Sequence, residues 1–208
     1  MTQPRARGLY AAKAWYTARL GFAVTRAVRG GVSPDAFTAL GIAGGLAAAA
    51  LLGVSAVHPN PLWALPVGLA LAVRLAGANL DGAVARARGV SRPWGFVVNE
   101  VGDRVSDLAV MLVLAHLDGG WWGLSALAGS TLPTFASLSV VGAGGPRLNG
   151  GPVGKTERCA IVVLVTLVAA WWRPYTVAAA VVAIGGVITA GVRLRDGAGA
   201  VSGQTVDG

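Results

Sequence analysis

Six apolar stretches of near-membrane length, separated by short breaks, constrain this chain more than any other feature. They run over residues 34–57, 62–86, 94–116, 121–141, 157–172 and 175–192. A helix needs about 20 apolar residues to cross the hydrocarbon of a bilayer, and the six segments reach or approach that length. The breaks carry residues that stop helices: His58-Pro59-Asn60-Pro61, Asp118-Gly119-Gly120 and Arg173-Pro174, with 142–154 as the longest internal loop. Ser33-Pro34 sets an N-cap before a proline at the first helical position. Of 208 residues, 54% are apolar and only 12% charged, which excludes a disordered chain and argues against a soluble enzyme. The expected fold class is all-α: an integral membrane protein with six transmembrane helices.

The basic residues orient it. Arg5, Arg7, Lys13, Arg19, Arg26 and Arg29 precede the first segment, and Arg86, Arg88 and Arg92 follow the second. Arg147, Lys155 and Arg158 flank the gap before the fifth, and Arg193 and Arg195 follow the sixth. The alternate loops hold only Arg173. The positive-inside rule then puts both termini in the cytoplasm of a multi-pass cell-membrane protein. It also accounts for the net charge of +8 without nucleic acid, since no exposed domain gathers the charges. Lys13 and Arg19 interrupt any signal-peptide core, so no cleavable signal is expected. Read as a helix, 9–28 puts Leu9, Ala12, Tyr16, Leu20, Ala23 and Ala27 on one stripe, away from Arg19, Arg26 and Arg29. That pattern predicts an amphipathic helix on the cytoplasmic surface. The organisation is thus an N-terminal cytoplasmic segment (1–32), a six-helix domain (33–195) and a Gly-rich, disordered tail (196–208). Gly41 and Gly45 form a small-xxx-small patch suited to helix packing. The single cysteine, Cys159, excludes an intrachain disulfide and reads as a small buried residue.

Membrane helices avoid ionisable groups, so those they keep are functional candidates. Here they concentrate around the second break. Ala78, Asp81, Gly82 and Ala85 share one helical face; Gly95, Asn99, Asp103 and Asp107 form a second stripe. A short loop makes the two helices antiparallel neighbours and brings Asp81, Asn99 and Asp103 together. Oxygen ligands of this kind suit Mg²⁺ or Mn²⁺. Gly82, Ala85 and Gly95 leave space beside the oxygens for a flat or phosphorylated ligand.

These residues resemble the signature of the CDP-alcohol phosphotransferases, D-x2-D-G-x2-A-R-x8-G-x3-D-x3-D. Asp81, Gly82, Ala85, Arg86, Gly95 and Asp103 fall in register, including the eight-residue gap. The departures are Ala78 at the first aspartate and Asn99 at the third. The resemblance implies a transferase of phospholipid biosynthesis. Such an enzyme moves a substituted phosphate from a CDP-linked donor, here CDP-diacylglycerol, to an alcohol acceptor and releases CMP. It implies Asp81 and Asp103 as catalytic residues and metal ligands, with Asp103 also the general base. Asn99 and Glu100 are further oxygen donors toward Mg²⁺ or Mn²⁺. Gly82, Ala85, Arg86 and Gly95 would shape the nucleotide site. Lys155, Arg158 and Arg193 would hold an anionic acceptor or, equally, act as positive-inside anchors. The implied partners are the donor, the acceptor and membrane lipids, with room for a homodimer. Ala78 and Asn99 keep a second reading open: a catalytically impaired relative that binds nucleotide, lipid or a partner protein.

Arg74 lies within the second segment, where an unpaired charge costs at least about 2.5–3.5 kcal/mol. If 78–81 faces 99–103, antiparallel running brings residue 74 level with residue 107. The spacing therefore predicts an Arg74–Asp107 ion pair just above the site.

Overall fold

The computed structural model describes residues 13–90 and 93–204. They form seven α-helices: α1 Lys13–Arg29, α2 Pro34–Val57, α3 Ala64–Ala87, α4 Pro93–Asp118, α5 Trp121–Gly142, α6 Lys155–Val168 and α7 Tyr175–Gln204. A short 3-10 helix, Pro61–Trp63, leads into α3. Four stretches are long and apolar enough to cross a membrane: Pro34–Val57, Pro61–Ala87, Trp121–Gly142 and Tyr175–Ser202. The other two expected spans depart from that pattern for different reasons. α4 has the length, at 26 residues, but carries Glu100, Asp103, Arg104 and Asp107 along its middle. α6 has only 14 residues, because its helix stops at Val168 and not at the tryptophans 171 and 172.

A further boundary differs from the sequence reading. α7 does not stop near Val192 but continues to Gln204. The tail expected to be disordered from 196 is therefore helical that far, continuing the apolar helix before it; 205–208 lie outside the described residues. Of the expected N-terminal surface stripe, Leu9 and Ala12 and the side chains of Tyr16 and Leu20 lie outside the described residues. Within α1, Ala27 is buried while Arg26 and Arg29 are exposed.

The packing runs opposite to that of a soluble protein. Leu65, Leu69, Phe135, Val57 and Trp121 face outward, 68–78% exposed, while Arg74 and Asp107 are 1% and 3% exposed. With apolar surroundings there is no hydrophobic force to press helices together, and close backbone approach takes its place. The most extensive pairings are α5 with α7 and α2 with α3, followed by α2 with α4. Glycines explain them. A Cβ on Gly77 of α3 would lie 2.6 Å from the Gly41 nitrogen of α2, and one on Gly44 would lie 2.8 Å from the Arg74 nitrogen. Toward α4, a Cβ on Gly102 would lie 2.8 Å from Ile42 Cδ1. α2 thus sits between α3 and α4, which touch each other little. They are not the packed neighbours that the short connection suggests; they face each other past α2. An apolar core of Leu52, Val67, Leu71, Met111, Leu114, Val162 and Val182 fills one half of the bundle. The buried ionisable residues Arg74, Asp81, Glu100, Asp107, Arg158 and Arg193 lie on α3, α4, α6 and α7.

Candidate active site

A cleft of about 700 Å³ opens where the start of α2, the end of α3 and the start of α4 meet. Its walls include Ser33, Asp35, Thr38, Asp81, Gly82, Ala85, Arg86, Arg88, Gly95, Phe96 and Asn99. Local chemistry holds the rim. Ser33 Oγ accepts from the Asp35 N–H at 3.2 Å and caps α2. Arg88 Nη1 donates to the carbonyls of Val32 at 2.8 Å and Gly31 at 3.3 Å, tying the α1–α2 turn to the end of α3. The Arg86 guanidinium folds back over Gly82, where a Cβ would stand 3.2 Å from Nη1. At the base, Asp81 is buried; its Oδ2 accepts from Thr38 Oγ1 at 2.9 Å and its Oδ1 from the Gly82 N–H at 2.5 Å.

A smaller cavity of about 10 Å³ lies deeper, between Thr38, Ala78, Asn99, Asp103 and Ser106. That is about the volume of one water-sized sphere. Thr38 and Asn99 line both spaces, with Asp81 on the wall of the larger and Asp103 on that of the smaller. Asp103 Oδ2 accepts from Lys155 Nζ at 2.7 Å, and the two side chains are 13% and 26% exposed. One turn further along α4, Asp107 is enclosed by arginines. Arg74 Nη2 stands 3.2 Å from Oδ1, Arg104 Nη1 3.3 Å from Oδ2, and Arg158 bonds Oδ2 through Nη2. Arg74 also donates to Cys159 Sγ at 3.3 Å and to the Asp103 carbonyl at 3.4 Å. Charges this deep persist only where they are paired and hydrogen-bonded.

No protein-family model matches the chain. It is 32% identical over 143 residues to phosphatidylinositol phosphate synthase of Mycobacteroides abscessus, a match covering 65% of this chain and 62% of that protein. Against the protein of the same name from Mycolicibacterium smegmatis it is 32% identical over 151 residues, covering 66% and 63%. The chain thus spans a little under two thirds of the length of these curated relatives. The crystal structure of Mycobacterium tuberculosis phosphatidylinositol phosphate synthase with CDP-DAG bound superposes with a TM-score of 0.64 at 26% identity, covering 86% of this chain and 90% of that one. The same enzyme in complex with manganese and citrate gives a TM-score of 0.64 at 26% identity, covering 84% and 86%.

These relatives are CDP-alcohol phosphotransferases, and the chain is similar to them in sequence and in fold.

In this chain the residues of the signature divide. Asp81, Gly82, Ala85, Arg86, Gly95 and Asn99 line the one cleft, and Asp103 stands just below it with Ala78. Glu100 does not join them: its Oε2 pairs with Arg147 Nη1 at 2.5 Å, and that guanidinium also stacks 5.3 Å from the Phe96 ring centre. Of the three expected acceptor-binding cations only Lys155 reaches the signature residues. Arg158 is spent on Asp107. Arg193 is buried and donates to the carbonyls of Pro133 at 2.7 Å, Gly150 at 2.9 Å and Asn149 at 3.2 Å.

The divalent ion that the family implies suits the donor set in kind. Asp81 and Asp103 offer carboxylates and Asn99 an amide oxygen; Asp103 and Asn99 line the small cavity, and Asp81 lines the cleft that shares Thr38 and Asn99 with it. The set is poor in charge: among the described residues no three Asp, Glu, His or Cys side chains come together. Sequence reasoning missed Thr38, Arg104 and Arg147. Thr38 was the readable one, a lone hydroxyl in the first turns of a helix otherwise built of small and apolar residues.

Proposed function

We propose that this chain is a membrane transferase of phospholipid biosynthesis. It moves a phosphatidyl-type group from CDP-diacylglycerol to an alcohol acceptor and releases CMP. The observation that carries the reading is the single cleft lined by Asp81, Gly82, Ala85, Arg86, Gly95 and Asn99. Its volume falls within the range of about 300–1,000 Å³ usual for small-molecule sites. The relative solved with CDP-DAG bound supports the donor, and the relatives' name supports an acceptor of the polyol-phosphate type.

In this reading the acceptor hydroxyl attacks the β-phosphorus of the donor. The bond from that phosphorus to the bridging oxygen breaks, and CMP leaves with the electron pair. Asp103 takes the hydroxyl proton. Gly82, Ala85 and Gly95 keep the wall free of side chains where the nucleotide lies, and Arg86 and Arg88 face its phosphates. Asp81, Asp103 and the amide of Asn99 would hold Mg²⁺ or Mn²⁺, which supplies charge neutralisation on the pyrophosphate. Lys155 stands nearest the acceptor; Arg158 and Arg193 act through the helix and loop they anchor. All of α2–α7 cross the bilayer, α4 with its charges turned inward, and α1 lies along the cytoplasmic surface on the same side as both termini.

The second reading, binding without transfer, draws on one observation: Lys155 already sits on Asp103. Membranes containing the chain, CDP-diacylglycerol, Mg²⁺ or Mn²⁺ and a panel of alcohols including polyol phosphates decide between them. CMP release with one acceptor is the expected result. Retained CDP-diacylglycerol binding without CMP release from any acceptor would leave the second reading.

A further inference from the structure

Asp103 and Asp107 stand one turn apart on α4, and α6 meets each of them with a cation of its own. Lys155 bonds Asp103 and Arg158 bonds Asp107. The two rungs differ in depth. The Arg158 and Asp107 side chains are 3% and 5% exposed, whereas Lys155 and Asp103 are 26% and 13% exposed. The inner rung is locked inside the bundle; the outer one borders the site. Lys155 is also well placed to hold its position. It opens α6 directly after Gly154, whose N–H donates to Glu157 Oε2 at 3.0 Å and fixes the first turn. An ammonium on a flexible four-carbon stem can then leave one oxygen for another without moving the helix.

Charge gives this arrangement its meaning. Positions 78 and 99 hold a methyl group and an amide, so only Asp81 and Asp103 remain as carboxylates of the signature. We propose that the Lys155 ammonium is a tethered counter-cation, occupying Asp103 while no divalent ion is bound and displaced from it when Mg²⁺ or Mn²⁺ binds. The ammonium lies 2.7 Å from Asp103 Oδ2. A divalent ion needs carboxylate oxygens at about 2.0–2.1 Å, and an ammonium on the same carboxylate repels it the more because the site is partly buried. Lysine and ion therefore compete for this carboxylate. The apparent metal affinity becomes a competition that the chain itself sets through Lys155. The proposal rests on the reading above only in taking Asp81 and Asp103 as the place where the ion binds.

The test is Mn²⁺ binding to the full chain in detergent micelles, without donor or acceptor, followed by loss of the free-ion paramagnetic resonance signal. Lys155→Met should lower the dissociation constant at least about tenfold, whereas Lys155→Arg, which keeps the charge, should stay within about threefold of the parent. A second readout needs no variant of Lys155. The chain has two lysines, Lys13 and Lys155, so ¹³C-dimethylation gives two lysine methyl signals with the charge retained, told apart from a terminal amine by the latter's lower pKa. Mg²⁺ should move the Lys155 signal and leave that of Lys13. Equal Mn²⁺ affinity in parent and Lys155→Met, with an unmoved Lys155 signal, would overturn the proposal and leave the metal site standing. Absence of Mn²⁺ binding from the parent, from Lys155→Met and from the Ala78→Asp, Asn99→Asp variant would overturn the metal site and the proposal together.

Discussion

Arg74 of α3 and Asp107 of α4 form a buried ion pair, 3.2 Å from Nη2 to Oδ1, with side chains 1% and 5% exposed. Asp107 does not serve Arg74 alone, because Arg104 and Arg158 share its oxygens. Asp107→Asn leaves three guanidinium groups around an uncharged amide, and a loss of about 3–5 kcal/mol is expected. Melting in detergent measures it. The reciprocal exchange, Arg74→Asp with Asp107→Arg, should rescue neither single change, because Arg104 and Arg158 would then face a further arginine. Arg74→Met should cost less than Asp107→Asn, since two arginines still hold the carboxylate.

Asp103 carries the proton in the proposed reaction. Asp103→Asn should lower CMP release by about 10²-fold or more while the protein still melts cooperatively. Unchanged turnover would remove Asp103 from the chemistry.

Restoring the missing carboxylates tests the charge deficit from the other side. Ala78→Asp with Asn99→Asp should reduce the Mn²⁺ concentration for half-maximal binding by about tenfold, since ligand charge is one determinant of affinity for hard cations. No change would mean that neutral donors already suffice.

Helix contacts through glycine make a sharp comparison. A Cβ at Gly77 meets the Gly41 nitrogen at 2.6 Å, whereas one at Gly191 meets nothing within 4 Å. Gly77→Ala should destabilise by about 1–3 kcal/mol, as overpacking does, and Gly191→Ala should not. The two melting temperatures check this directly.

Asp118 gives a pH effect away from the bundle interior. Its carboxylate accepts from the Thr176 hydroxyl and from the N–H groups of Gly123 at 2.7 Å and Gly120 at 3.1 Å, which hold it below the usual carboxylate range. A depressed folded value contributes stability above the unfolded value of about 3.9 and loses it as pH falls through the folded one. Melting followed below about pH 4 should fall more steeply for the parent than for Asp118→Asn.

The segments and the cleft were legible in the sequence for definite reasons. Apolar length separates the helices, and the spacing from Asp81 to Asp103 places six signature positions on two faces. The order of packing was not legible. The short connection after Ala87 suggests that α3 and α4 lie side by side, but α2 carries glycines toward both and lies between them. Arg158 and Arg195 give the same positive-inside signal, and only the fold separates the one buried against Asp107 from the other. Glu100 looked available to the metal because it is three residues from Asp103; its partner Arg147 lies 47 residues away in a loop whose course no local pattern predicts. α6 was overestimated because the aromatic pair 171–172 reads as the end of a span, when the helix itself stops at Val168.

The segment from 143 to 154 has the composition of a spacer, yet its backbone is held at several points. Ser137 Oγ accepts from the Leu148 N–H at 3.0 Å, Thr189 Oγ1 from the Val153 N–H at 3.0 Å, and Arg193 donates to Asn149 and Gly150. Lys155 follows directly. α5 and α7 therefore act as a ruler that measures this loop and delivers the lysine to Asp103 at a set height. Loops so rich in glycine ordinarily absorb added or deleted residues without penalty. Here a single inserted residue must either break the clasp or carry the ammonium away from its carboxylate, so a change in loop length behaves as a change in the site itself.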